Sequence, residues 1–463
     1  MKTKWLSLLL AAALAVSLSA CSPSDSGTSD LSQSASGGTS SSSAAASQQS
    51  LGEFRTDATL EETVMLDEGG VKITATGLIY SSYAAELDLT IENNSGKDLS
   101  FISGSMGYSC NSVNGFMVDD GYLNCDVANG KKANGTIKFS YDSLMLYGID
   151  EIADLEIGFD MSDDNYNHTY SGPIQLKTSA YETHDYSTDH YQETITSGAA
   201  MSTYGYEMLH FSQDPLYDRN GVKLLSSGVM KNSDGSTALL LELQNTTDSM
   251  VYVSTSDIAI NGLTIEPSTW SNDAVNPGKS RIVDVQLSSV LDPEIWDIYG
   301  IGDVGSVSVT LGQKNGEGRE IAPKTPIEIV VPGANARYDA AGIEVYNKDG
   351  LRIIAKAVME DSADYSDEMY MYLLAENQSG KTLSISDQYN SLSVNGYMTD
   401  YIGFAQELED GQAAVLSIWL MSFSLEQNQI TSPEEIQEIE FTLEVKDGYT
   451  TVDESELMIR YGK

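Results

Sequence analysis

Gly70-Val71-Lys72-Ile73, followed by ENNSGKD from Glu92 and by Asn114-Gly115, decides the fold, because the same order of elements returns twice. Gly221-Val222-Lys223-Leu224 leads to Asn245 and Asn261-Gly262, and Gly350-Leu351-Arg352-Ile353 leads to ENQSGKT from Glu376 and Asn395-Gly396. The 463-residue chain therefore reads as three copies of one unit, each of ordinary domain size.

Each copy opens with a hairpin. Thr63-Val64-Met65-Leu66 and Val71-Lys72-Ile73-Thr74 flank Asp67-Glu68-Gly69-Gly70, and the later copies turn at Asp218-Arg219-Asn220-Gly221 and Asn347-Lys348-Asp349-Gly350. Asn-Gly and Asp-Gly tolerate the positive φ that tight hairpin turns require. Leu87, Leu89 and Ile91 then alternate with polar residues, which predicts a strand buried on one face; Leu239, Leu241, Leu243 and Met371, Leu373, Ala375 stand at the same places. Beyond turn glycines at Gly130, Gly278 and Gly411 come Ile137 and Phe139, Val285 and Leu287, and Ile418 and Leu420, a further alternating strand.

Asp292-Pro293-Glu294 and Ser432-Pro433-Glu434 carry helix-start signals, a capping side chain before Pro. Two last strands follow in each copy, around Leu155-Glu156-Ile157 and Ile174-Gln175-Leu176, Val307-Ser308-Val309 and Ile327-Glu328-Ile329, and Ile439-Glu440-Phe441 and Leu457-Met458-Ile459. About seven short strands with one short helix describe an antiparallel β-sandwich. The expected fold class is all-β: three tandem immunoglobulin-like antiparallel β-sandwich domains, each with one short helix, after a disordered tether.

The first residues read as a targeting segment: Lys2 and Lys4, then an apolar run from Trp5 to Val16 that is too short to span a bilayer, then Leu18-Ser19-Ala20-Cys21. Leu-Ser-Ala-Cys after such a run resembles the lipobox of bacterial lipoproteins. That resemblance implies cleavage before Cys21 and diacylglycerol on its sulfur, hence residence on the extracytoplasmic face of the cell membrane. Two acyl chains, at ~0.8 kcal/mol per buried methylene, anchor a protein stably. Residues 22–50 hold 13 Ser among 29 positions and no Lys or Arg, too little apolar surface to offset chain entropy. The expected organisation is a signal peptide at 1–20, a lipidated and Ser-rich tether at 21–59, repeat one at 60–178, a Tyr-rich segment at 179–206, repeat two at 207–332 and repeat three at 333–463. Residues 179–206 are either an ordered extension of the second domain or a mobile connector.

The module resembles the immunoglobulin-like extracytoplasmic domains of unknown function that recur in lipoproteins of Gram-positive bacteria. Gly-Val-Lys-Ile, ENNSGKD, Ser112-Val113-Asn114-Gly115 and Gly148-Ile149-Asp150-Glu151-Ile152 carry the likeness, and the second copy departs from it at Gln244-Asn245-Thr246-Thr247. It implies a sandwich and no shared activity.

With 68 acidic against 25 basic residues, the net charge of −43 opposes nucleic-acid binding, which needs a basic footprint. Loose calcium binding by the excess carboxylates is compatible with it. Cys110 and Cys125, the cysteines left beside Cys21, form a disulfide or remain two buried thiols. His184, Asp185, Asp189 and His190 lack a zinc-ligand spacing and read as solvated polar chain. Asp160, Asp163, Asp164, Asn165 and Asn167 lack the order of a calcium loop and read as an enlarged hairpin turn.

Gly278-Lys279-Ser280 has Asp273 where a phosphate loop needs Gly, so it is no such loop. Trp270, Trp296 and Trp419 read as core rather than sugar platforms. No catalytic motif, metal motif or cofactor motif stands out. The expected role is a non-catalytic binding, display or spacer module with an unspecified protein or glycan ligand. The alternatives are a hydrolase or accessory subunit acting on a wall or host polymer, and a stalk stiffened by calcium.

Overall fold

The computed structural model describes residues 51–104, 111–268, 273–287, 293–360 and 368–461. Those residues form largely antiparallel sheets layered as sandwiches, with two parallel strand pairs and with short helices at their connections. They divide into two compact units. One takes in residues up to Phe211 with 230–235 and 278–284; the other takes in 212–229, 236–277 and 285 onward. The second copy contributes residues to both units.

In the first unit, Thr63–Glu68, Val71–Tyr80, Ala84–Asn93 and Lys131–Ser140 form a four-stranded sheet in that order. Opposite it, Asp154–Asp163 pairs with Leu99–Ser103, Ser112–Val113 and His168–Lys177. Leu87, Leu89, Ile91, Ile137 and Phe139 from one layer share a core with Phe101, Leu155, Ile157 and Phe159 from the other. In the second unit, the third copy repeats this plan: Met371, Leu373, Ala375, Leu416 and Ile418 face Ile385, Ile439, Phe441 and Leu443.

Buried asparagines explain why the repeated motif is repeated. Asn93 Nδ2 donates to the Lys97 and Val127 carbonyls at 2.8 and 2.7 Å, while its Oδ1 accepts from Ser95 N and Oγ. Asn245 does the same with Ser249, Val275 and Thr247, and Asn377 donates to Lys381 and Leu408 and accepts from Ser379 N. All three are fully buried. The Asn-x-Ser/Thr spelling could be taken for a glycosylation signal; here it closes a loop onto a sheet. Asn114, Asn261 and Asn395 form a second set at positive φ, each accepting two backbone N–H groups from the strand start 39 to 45 residues on.

The leading glycines have a steric reason. A Cβ at Gly70, Gly221 or Gly350 would stand 2.5–2.6 Å from Asn94 O, Thr247 Cγ2 or Gln378 O, and each residue has positive φ.

Two expectations change. The strand read as buried on one face keeps that alternation only in Ala84–Asn93; Leu240 and Glu242 in the second copy and Leu374 in the third are also buried. In the third copy the outward face is covered by Tyr299, whose hydroxyl donates to the Leu373 carbonyl, and by Tyr338 bonded to Glu376. The helix of the third copy is Ser422–Gln427, and Ser432-Pro433-Glu434 starts only the 3₁₀ turn Pro433–Glu435. Packing decides this: Leu425 is fully buried, and its carbonyl accepts Ile430 N as Leu144 accepts Ile149 N and Trp296 accepts Ile301 N.

Asn377→Ala would strip partners from two carbonyls and one amide, at roughly 1–3 kcal/mol for each buried group left unsatisfied. Urea unfolding should therefore show the third copy destabilised by about 3 kcal/mol or more. Gly350→Ala should destabilise more than Gly411→Ala, since only the first adds a clash to the strained φ.

Candidate functional site

Residues 179–206 are ordered and belong to the first unit. Asp189 caps the helix His190–Ile195 by accepting from Gln192 N, and Ser197 caps Gly198–Tyr204 by accepting from Ala200 N. Tyr191 is buried against Phe116 and Tyr147, with ring centroids 6.2 and 6.3 Å away. Gly148 lets the backbones meet: a Cβ there would lie 2.4 Å from His190 O.

This packing encloses a cleft of about 550 Å³, with Arg55, Asp150, Glu151, His184, Asp185 and His190 among its lining. Arg55 spans the acids, 2.8 Å from Asp150 and 3.0 Å from Glu151. Its guanidinium pKa is raised first by the hydrogen bond to Asp150. Burial, then the neighbouring His190, pushes the His184 imidazole below its ordinary value. Its ring meets Tyr186 edge-on at 4.4 Å and stands 6.5 Å from that of His190. Asp185 accepts from Ser187 N, Ser187 Oγ and Thr188 Oγ1, which hold its carboxyl well below the usual range. The cleft thus offers three carboxylates, one permanent cation and two imidazoles, that of His184 biased towards its neutral form.

The structure brings His184, Asp185 and His190 to this one cleft and sends Asp189 to a helix cap. Among the described residues, no group of three or more His, Cys, Asp or Glu is placed to hold a metal ion. Sequence reasoning missed Arg55, which precedes the first strand; its bonds to Asp150 and Glu151 join positions 95 and 96 residues apart and leave no local pattern.

The other candidates have structural employment. Asp163 accepts from Asn165 N, Asn167 N and Nδ2, and Lys97 Nζ, closing the turn between Asp154–Asp163 and His168–Lys177. Lys279 pairs with Glu156 at 2.7 Å. Trp419 Nε1 donates to Glu368, and Trp296 is buried. Among the described residues, Cys125 is half-buried and without a disulfide partner, and burial raises its thiol pKa. Cys21, Cys110 and Trp270 lie outside the described residues.

No protein-family model and no curated protein sequence matches this chain. Solved structures with some likeness include a protein of unknown function from Porphyromonas gingivalis W83, at 10% identity over 49% of this chain and 92% of that one, TM-score 0.15. The exo-chitosanase CsxA of Amycolatopsis orientalis aligns at 7% identity over 88% of this chain and 80% of its own, TM-score 0.17. The alpha-2-macroglobulin of Escherichia coli aligns at 9% identity over 86% and 35%, TM-score 0.14. Scores this low bear on neither fold nor function.

Because the folded state depresses the His184 pKa, the stability it contributes is complete above the unfolded value of about 6.5 and is lost as pH falls through it. Thermal unfolding of the first unit between pH 8 and 5.5 should show that loss, and His184→Gln should remove it. An imidazole titration by NMR should place the His184 midpoint below 6.5.

Proposed function

We propose that the chain is a lipid-anchored protein of the extracytoplasmic face, held through Cys21 and a Ser-rich tether, and that its sandwiches form a non-catalytic binding and display module. The observation that supports the non-catalytic reading is the use of the polar side chains. Asp163, Asp185, Asp189, Lys279 and Glu368, the groups best able to do chemistry by residue type, accept or donate bonds that close turns, cap a helix or join strands. The carboxyls of Asp163, Asp185 and Glu368, which such bonds hold below their ordinary range, make poor general acids.

The cleft at Arg55 is the proposed ligand site of the first unit. Its three carboxylates outnumber the Arg55 guanidinium, so a small ligand bearing an amine is favoured over an anion. Neutral His184 supplies one donor and one acceptor for orientation.

Metabolic labelling with a fatty acid should mark the wild-type chain in a bacterial host and leave Cys21→Ser unmarked; equal labelling would overturn the anchor. In ligand-observed NMR, amine-bearing fragments should bind the wild type and lose about tenfold in affinity against Asp150→Asn, the size of one lost charge contact. Selective binding of anionic fragments would reject the proposed charge preference.

A further inference from the structure

The chain contains the same strand-to-strand joint twice. In the first unit, Phe116, in the strand after Asn114-Gly115, pairs in parallel with Ser280, and Ser280 N donates to Gly115 O at 2.9 Å. In the second unit, Leu263 and Thr264, after Asn261-Gly262, pair in parallel with Ala413 and Ala414. The register is identical. Phe116 and Leu263 each stand two residues after the asparagine of one copy, and Ser280 and Ala413 each stand two residues after the turn glycine of the next. Ion pairs flank the first joint: Lys279 with Glu156 and Arg281 with Asp119, both at 2.7 Å, the two cations only 11% and 5% exposed.

One strand of each kind is left at a sheet edge. Tyr397–Met398 follows Asn395-Gly396, ends its sheet, and leaves its side chains 55% and 63% exposed. Lys131–Ser140 follows Gly130 and ends the four-stranded sheet. Such edges turn unsatisfied N–H and C=O groups outward and are templates for another strand.

We propose that these two edges recognise one another between molecules, so that the third copy of one chain docks on the first copy of a second chain of the same kind. The repeated register places Tyr397 beside Lys132 of the second molecule. Lys132 N–H then donates to the Gly396 carbonyl, as Ser280 does to Gly115, and Met398 N–H donates to the Lys132 carbonyl. The charges agree with this register. Glu440 lies opposite Ser393 as Glu156 lies opposite Ser112, and Lys131 occupies the place of Lys279. A Lys131–Glu440 pair would therefore reproduce Lys279–Glu156 across the new joint. Because the two surfaces differ, the contact is head-to-tail and propagates into open chains rather than closing as a symmetric dimer.

Sedimentation velocity tests this on residues 21–463 carrying Cys21→Ala, which retain every described element and no lipid. The weight-average mass should climb past that of a dimer as concentration rises through about 10–500 µM, the range of a small, weak interface. Met398→Pro and Lys132→Pro each remove one edge-facing N–H, a place where proline is tolerated. Each variant should stay monomeric alone, and their equimolar mixture should stop at a dimer, since it unites one intact edge of each kind. Lys131→Glu should weaken association about tenfold, and adding Glu440→Lys should restore it.

A wild type that stays monomeric throughout overturns the proposal. So do a proline variant that associates like the wild type, or a mixture no larger than its components. Should either proline variant lose its β circular dichroism, the charge-reversal pair decides alone: failure of Glu440→Lys to restore Lys131→Glu overturns the register.

Discussion

A fully buried asparagine, donating to two carbonyls and accepting from the residue two places on, is the constraint on which each copy depends. Asn93, Asn245 and Asn377 sit where a central strand ends and the chain must leave the sheet. A backbone turn at that depth would strand carbonyls away from water, and each would cost about 1–3 kcal/mol. The amide side chain meets that need from inside, binding the exit loop and the strand before the turn glycine at once. The leading glycine is the other half of the arrangement, since its carbonyl accepts the N–H of the residue following the asparagine. Hairpin, central strand and exit loop are thereby locked together, and the apolar alternation of Leu87, Leu89 and Ile91 acquires a fixed register.

Around that frame, burial rather than catalysis explains most of the polar residues. Asp163 ties Lys97 to a hairpin turn, and Lys381 with Asp447 repeats the pair in the third copy. Ser103 and Asn111 bond to each other and to backbone within the first sandwich. Polar groups enclosed in a sandwich must be satisfied. The cleft beside Arg55 differs because its walls come from three sources: residues 51–55 before the first strand, the loop around Asp150, and the helical segment after the last strand. The helical segment is tethered by Tyr191, packed against Phe116 and Tyr147.

The acidic surplus and the joints are connected. Net charge of one sign keeps molecules apart at long range, and the Debye length of about 8 Å at physiological salt confines that repulsion to close approach. Lysines at 131, 132, 138 and 279 therefore stand out against the acidic background. Lys132 and Lys138 pair with Glu92 and Glu86 across the first sheet, and Lys279 is spent at an internal joint. Local complementarity at a strand edge acts over a few Å, whereas carboxylates elsewhere on the surface lie mostly beyond the Debye length and are screened.

Much of the fold was legible in the residues themselves. Period-two alternation, Asn-Gly and Asp-Gly turns, and a motif returning in order determined all-β copies and the places of their hairpins, because those properties depend on neighbours along the chain. Asp163 was legible as a turn residue for the same reason. The second buried face of Leu374, the helix at Ser422–Gln427, the ordering of residues 179–206 and the bond from Arg55 to Asp150 were decided only by tertiary structure. Each depends on groups far away in sequence: Tyr299 lies 75 residues before Leu374, and Arg55 lies 95 before Asp150. Local propensity carries no information about which distant surface will cover a strand, so packing chose among conformations that the sequence left equally open.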